Sequence, residues 1–312
     1  MASLSQKSSR KPKRAPAPTL RQLLLRVTRR LGRARLHYGH GTLTAGDDAA
    51  AIVAHVLQRS PPLSAAVLQR RASAAVIAAT AQLAQRRIRE RRPVVYLTQQ
   101  CWYAGLPLYV DERVLIPRSP IAELIGQRFE PWIDARRVRR IADIGTGSGC
   151  IALACARAFT HARVDAVDID PRALEVARLN IRRLRAARRI RALQSDHFAA
   201  LGGARYDIIV SNPPYVGRRE MASLPAEYRH EPRGALAAGR DGLDSVRVLL
   251  RQAGEHLEPG GILVVEVGNT EAAVRRRFPR LPFLWLQFVR GGGGVFLLTR
   301  EQLSVADPIR GE

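Results

Sequence analysis

Ser211-Asn212-Pro213-Pro214-Tyr215 carries the most pointed chemistry in this chain. The apolar run 206–210 precedes it, so the motif is expected just past the carboxyl end of a buried strand, where open α/β sheets hold their ligands. The Asn212 amide oxygen and the Pro213 carbonyl both accept hydrogen bonds, and neither proline has an N–H. Two fixed acceptors suit a planar –NH₂ group with two protons. Presenting such a nitrogen to an electrophilic methyl is the task of an amino-group methyltransferase. A proline-rich turn after a strand reads the same way in isolation, so the meaning rests on context.

The context lies upstream. Residues 139–144 form a short apolar strand that runs into Gly145-Thr146-Gly147-Ser148-Gly149, and residues 150–156 continue as a helix. The three glycines allow a ligand close to the backbone, and the helix start offers free N–H groups and a positive dipole end. The spacing departs from the G-x-G-x-x-G of dinucleotide folds. It has instead an acid, Asp143, two residues before the first glycine. A carboxylate there suits a cationic amine, such as that of the methionine moiety of S-adenosylmethionine, and would repel a pyrophosphate. A second strand, 163–168, ends in Asp168, 19 residues past Gly149, the distance at which an acid accepts from ribose hydroxyls. Asp170 precedes Pro171 and reads as a helix N-cap. Asp196 follows the apolar run 190–193 and is placed to accept from an adenine amino group; a surface turn is the alternative.

These residues need a scaffold. Residues 1–18 read as a basic flexible tail and 19–95 as a small helical domain with helices near 19–32, 47–58, 62–70 and 73–91. Residues 96–118 hold a β-hairpin linker around Gly105, and 119–312 alternate strands and helices. Strands are expected near 139–144, 163–168, 190–194, 206–211, 261–267, 283–289 and 293–299. The last two are separated by a glycine-rich turn too short for a helix, which makes them antiparallel neighbours. The expected fold class is α/β, a class I, Rossmann-like methyltransferase sheet of seven mostly parallel strands closed by an antiparallel final hairpin, with the small helical domain in front.

Composition sets outer limits. A chain of 312 residues with 46% hydrophobic residues can build two cores. The three cysteines, Cys101, Cys150 and Cys155, have no metal-binding spacing, and the sparse odd count fits a reducing compartment, the cytoplasm. No apolar run approaches the roughly 20 residues of a membrane span. Net charge is +24, with eleven Lys or Arg and no acid in residues 1–40, and eight Arg against one Glu in residues 172–191. Such an excess favours anionic partners, so the tail is a candidate for rRNA contact, although its composition equally fits plain disorder. The 172–191 cluster reads first as a solvated helix face. Residues 1–36 are also Arg-rich and acid-free, as a transit peptide is, but the helical spacing of 19–32 passes directly into folded chain.

Asn212 to Tyr215 after the Gly145, Gly147, Gly149 loop resembles the protein N(5)-glutamine methyltransferases. Tyr38 to Thr42, Val110 to Pro120, Tyr228 to Pro232, Glu266 to Asn269 and Gly291 to Phe296 are similar to the branch that acts on large-subunit ribosomal protein three. The resemblance spans roughly residues 20–305. It implies S-adenosylmethionine as donor, a glutamine side-chain amide as acceptor, and a helical N-terminal domain that helps recognise the protein substrate. It further implies that Asp143, Gly145 and Thr146 belong to the donor loop, Asp168 to the ribose contact, and Asn212 to both donor and acceptor. Pro213, Pro214 and Tyr215 would form the acceptor clamp. His197 stands where the release-factor branch tends to carry a Trp. For His230 and Glu231 a loop-positioning role is preferred to general-base chemistry, because amide methylation needs no strong base. Two other activities use the same motif: glutamine methylation of release factors, and methylation of an adenine amino group in DNA or RNA. The second requires a platform for a flipped base, and aromatics make up only 5% of the chain.

Overall fold

A computed structural model describes residues 16–289 and 291–305. Most of the tail 1–18, with Lys7, Lys11 and Lys13, therefore lies outside the described residues. The remainder divides into two units. The first runs through Leu36 and resumes over Thr44–Arg89; the second comprises His37–Leu43 and everything from Glu90 onward. The helical part thus ends near residue 89 rather than 95. The excursion 37–43, expected within the helical domain, belongs to the second unit, as does the hairpin expected as a linker.

In the first unit, helices span Leu20–Gly32, Ala45–Val56, Ala65–Gln69 and Ala74–Glu90. The first is closed by a capping box. Thr19 Oγ1 accepts from the Gln22 N–H at 3.2 Å, and Gln22 Oε1 accepts from the Thr19 N–H at 2.9 Å. Its apolar residues Leu20, Leu23, Val27 and Leu31 recur at three- and four-residue spacing and all are buried. An ion pair joins Arg87 Nε to Asp48 Oδ2 at 2.8 Å inside this unit, with side chains 2% and 0% exposed.

The second unit begins with an antiparallel hairpin, β1 (Gln100–Tyr103) and β2 (Leu106–Tyr109). Seven further strands form one sheet: β3 (Arg140–Ile144), β4 (Arg163–Asp168), β5 (Ile190–Gln194), β6 (Tyr206–Ser211), β7 (Leu257–Glu266), β8 (Leu284–Leu286) and β9 (Val295–Thr299). Their order is β5-β4-β3-β6-β7-β9-β8. The first five in that order are parallel, and β9 lies antiparallel between β7 and β8. Period-two alternation sends Ile208 and Val210 to one face, against the helix Cys150–Ala158, and Ile209 to the other, against the helix Asp244–His256. Because both faces are covered, the central strands read as continuous apolar runs. The chain leaves β3 toward β4 and β5, then returns to place β6 on the other side of β3. The reversal opens a crevice at the carboxyl ends of β3 and β6.

Candidate active site

The crevice holds the two motifs side by side. β3 ends at Ile144, and the Gly145 and Thr146 N–H groups both donate to the Val167 carbonyl at 2.8 Å, which folds the loop over the end of β4. Gly147 has φ +54, and a Cβ built there meets no protein atom within 4 Å. Its open side faces the cavity, so glycine at this position keeps backbone strain and bulk out of the ligand's space. Asp168 secures the loop from the neighbouring strand. Its Oδ2 accepts from the Gly147 N–H at 2.8 Å and its Oδ1 from the Asp170 N–H at 3.0 Å. Burial raises the Asp168 carboxyl above the usual range, against the pull of those backbone bonds. Asp170 caps the helix Pro171–Arg183 by accepting from the Arg172 N–H at 2.8 Å.

A cavity of about 330 Å³ lies over this crevice. Of the residues singled out from the sequence, Gly145, Thr146, Gly147, Asp168, Asp196, Asn212, Pro213 and Pro214 line it. Asn212 Oδ1 is buried and has no hydrogen-bond partner among the described residues. Such an acceptor lacks roughly 1–3 kcal/mol of hydrogen bonding that a donor entering the cavity would restore. Ser211, its neighbour, donates its hydroxyl to the Ile144 carbonyl at 2.7 Å and ties the end of β6 to the end of β3. Asp196 accepts from, or shares a proton with, His197 Nδ1 at 2.6 Å, and both residues stand in the cavity wall.

Three residues expected at the site stand behind it. Gly149, with φ +79, starts the helix Cys150–Ala158. Asp143 is fully buried beneath the loop. Its Oδ2 accepts from the Thr146 hydroxyl at 2.6 Å and from the Ala152 N–H at 3.0 Å, while its Oδ1 has no partner among the described residues. It fastens the glycine loop to the following helix, and burial pushes its carboxyl up to about 7 against those two bonds. Tyr215 turns from the cavity, its hydroxyl 3.5 Å from Glu266 Oε1 at the end of β7. Gly268 accommodates the tyrosine ring, since a Cβ there would sit 2.7 Å from Tyr215 Cε2.

Sequence reading singled out no role for three residues that organise this region. Arg118 lines the cavity and makes a two-pronged bond to Glu231. Glu266 is buried beside Tyr215. Asn180, inside the helix Pro171–Arg183, donates to the Ser148 and Tyr109 carbonyls at 2.9 Å and accepts from the Tyr109 N–H at 2.8 Å. A polar residue on the apolar stripe of that helix was the available signal for Asn180. His230 points elsewhere: its Nε2 lies 3.0 Å from the Glu90 carbonyl and its Nδ1 3.3 Å from Glu112.

Residues 128–227 match the family model of the methyltransferase small domain. The chain is 43% identical over 286 residues to the ribosomal protein uL3 glutamine methyltransferase of Neisseria meningitidis serogroup B, which covers 91% of this chain and 94% of that protein. It is also 43% identical over 287 residues to the protein of that name from Bordetella pertussis, covering 92% and 96%. Among solved structures, a methyltransferase from Pyrococcus furiosus aligns with a TM-score of 0.46 at 22% identity, covering 63% of this chain and 89% of that one.

Proposed function

The chain belongs to the ribosomal protein uL3 glutamine methyltransferases, and from that premise we propose that it transfers a methyl group from S-adenosylmethionine to the side-chain amide nitrogen of a glutamine in ribosomal protein uL3. The observation that carries this reading is Asn212 Oδ1, a buried acceptor without a partner among the described residues, in the same cavity as the glycine loop and Asp168.

The residues suit the donor. A cavity of about 330 Å³ lies in the range of small-molecule sites, which begins near 300 Å³. Asp168 stands at the tip of β4 where a ribose would be held, and Gly147 leaves its side of the cavity open. When bound, S-adenosylmethionine supplies a methyl group on a cationic sulfur.

The protein's part is to make a poor nucleophile reactive. An amide nitrogen is weak because its lone pair is delocalised into the carbonyl. Asn212 Oδ1 and the Pro213 carbonyl accept its two protons and fix the lone pair in direction. The same two dipoles stabilise positive charge on that nitrogen as the new C–N bond forms, and their orientation is set before the acceptor arrives. Holding nitrogen and methyl near attack distance contributes much of the remainder. Pro214 adds rigidity to the turn. Tyr215, anchored on Glu266, braces the turn from behind. No general base is required, because the proton leaves a methylated amide cation that is strongly acidic.

Asn212→Ala tests this directly. Methylation of purified uL3, followed by mass spectrometry of a glutamine peptide, should fall on the order of 10²–10³-fold in rate, as for loss of one preorganised hydrogen bond. Titration calorimetry should still show donor binding. A variant that methylates uL3 at the parental rate removes the basis of the assignment.

A further inference from the structure

Arg118 stands in the wall of the cavity that holds Asn212 and Pro213, with Pro232 and Ala235 also lining it. A cation there is a hazard for an enzyme that takes a carboxamide. Glutamate has the shape of glutamine and carries the charge that a free guanidinium would bind through two parallel hydrogen bonds. In this protein the guanidinium is already occupied. Nη1 donates to Glu231 Oε1 at 2.5 Å and Nη2 to Glu231 Oε2 at 2.8 Å, so both carboxylate oxygens are taken by one fork. The Glu231 side chain is 0% exposed, while that of Arg118 is 25% exposed. Water therefore screens the carboxylate poorly, and its charge acts mainly on Arg118. Nη1 also reaches the Ile116 carbonyl at 3.3 Å, and the Tyr228 ring lies 5.8 Å from the guanidinium carbon. Glu266 is the further acid near Arg118. It is buried, bonds to Ser119 and Tyr215, and its carboxyl is raised by burial.

The pair also sets the wall itself. Glu231 is followed by Pro232 and the short helix Arg233–Ala235, whose end is stitched to the residue after Tyr215: the Val216 N–H donates to the Leu236 carbonyl at 2.8 Å, and the Ala238 N–H to the Val216 carbonyl at 3.0 Å. Arg118 thus holds a segment whose Pro232, Gly234 and Ala235 line the same cavity as Asn212.

We propose that the Arg118–Glu231 pair is the specificity device by which this site accepts glutamine and refuses glutamate, because Glu231 cancels the guanidinium's charge and keeps the acceptor wall neutral. The proposal rests on the glutamine-methylation reading and names the group within that site that sets discrimination. Arg118 and Glu231 are positioning residues, acting on selectivity rather than on the reacting nitrogen.

The measured quantity is a ratio: the inhibition constant of uL3 with its methylated glutamine replaced by glutamate, divided by KM for unaltered uL3. If the wild-type protein methylates no glutamine in uL3, the functional reading fails and this ratio does not exist. If it does, Glu231→Gln frees the cation, and the ratio should fall at least tenfold while donor affinity is retained. A purely structural role would weaken both acceptors alike and leave the ratio unchanged; that result overturns the proposal. Should Glu231→Gln lose donor binding and hence its fold, Arg118→Gln carries the test from the other side. The lone Glu231 should then raise the ratio at least threefold, and an unchanged ratio overturns the proposal. The neutral double variant Arg118→Gln/Glu231→Gln should keep the wild-type ratio within about threefold, and loss of discrimination there is equally fatal.

Discussion

At the scale of single residues, two of the buried oxygens that lack a hydrogen-bond partner among the described residues stand at the crevice. Asn212 Oδ1 faces the acceptor space, and Asp143 Oδ1 lies beneath the donor loop. They serve different ends. Asn212 is proposed to be completed by substrate, whereas Asp143 fastens the glycine loop to the following helix. With its carboxyl raised from 3.8 to about 7, the folded protein binds a proton that the unfolded chain has already lost between those values. Stability must therefore decline as pH rises through that window. At 1.36 kcal/mol per unit, the loss amounts to roughly 4 kcal/mol by pH 8. Asp143→Asn removes the titration while leaving an oxygen for Thr146 and Ala152. In urea unfolding between pH 4 and pH 8, the stability of Asp143→Asn relative to wild type should improve steadily toward high pH. A difference that does not change with pH would mean that Asp143 stays ionised throughout.

At the scale of elements, the site depends on joints between strands and loops. The loop after β3 has no regular structure of its own, so its shape comes from its neighbours. Val167 holds its start, Asp168 its middle and Asn180 its end, through the Ser148 carbonyl. Asn180 simultaneously pairs with both backbone groups of Tyr109 in β2, so a single side chain links the hairpin to the glycine loop. Replacing it by Ala strands three backbone groups. We expect a stability loss of about 2–3 kcal/mol from those groups and a weakening of donor binding on the order of tenfold, with smaller change in KM for uL3. Thermal unfolding with and without donor separates the two effects. If donor affinity is unaltered, the loop is rigid without this joint. The sheet also shows where local pattern misleads. β7 begins at Leu257, four residues earlier than its apolar run, because Leu257 pairs with Tyr206 across a register shift in the ladder. β8 stops at Leu286, whose partner Val295 is the first residue of β9.

At the scale of the whole molecule, the division into two units assigns work. Among the described residues, the unit through Leu36 and over Thr44–Arg89 holds none of the cavity residues. Its proposed task is recognition of the protein substrate. The excursion His37–Leu43 belongs with the catalytic unit instead, where His40 packs edge-on against Tyr228 with ring centroids 4.4 Å apart, and the His37 N–H donates to Glu227 at 2.9 Å. An exchange of helical units with a release-factor glutamine methyltransferase should therefore retain His37–Leu43 from this chain. Such a chimera should lose at least tenfold in kcat/KM on uL3 and keep its donor affinity. Continued exclusive methylation of uL3 would locate recognition in the catalytic unit. The net charge of +24 adds a second expectation: for uL3 presented on rRNA or through an acidic surface, KM should rise with salt while kcat holds, as long-range attraction is screened.

The parts of this protein legible from sequence are those whose physics is local. Apolar runs bounded by glycine and proline marked the seven strands, Asp170-Pro171 marked a helix start, and the short glycine-rich connection marked the closing antiparallel pair. The glycine loop, Asp168 and Asn212 were legible because strand ends in a doubly covered sheet converge on one edge. Tertiary structure alone decided which way side chains turn at that edge. Asp143 sits two residues from a ligand loop, yet it faces the following helix, because its position in the pleat points it under the loop. Tyr215 turns behind the wall, where Gly268 leaves room for its ring. Arg118 and Glu231 are 113 residues apart, and no periodicity or spacing relates them. Their union follows from two connections meeting over one crevice, where a buried carboxylate must find a cation and a cation in a ligand wall must be neutralised.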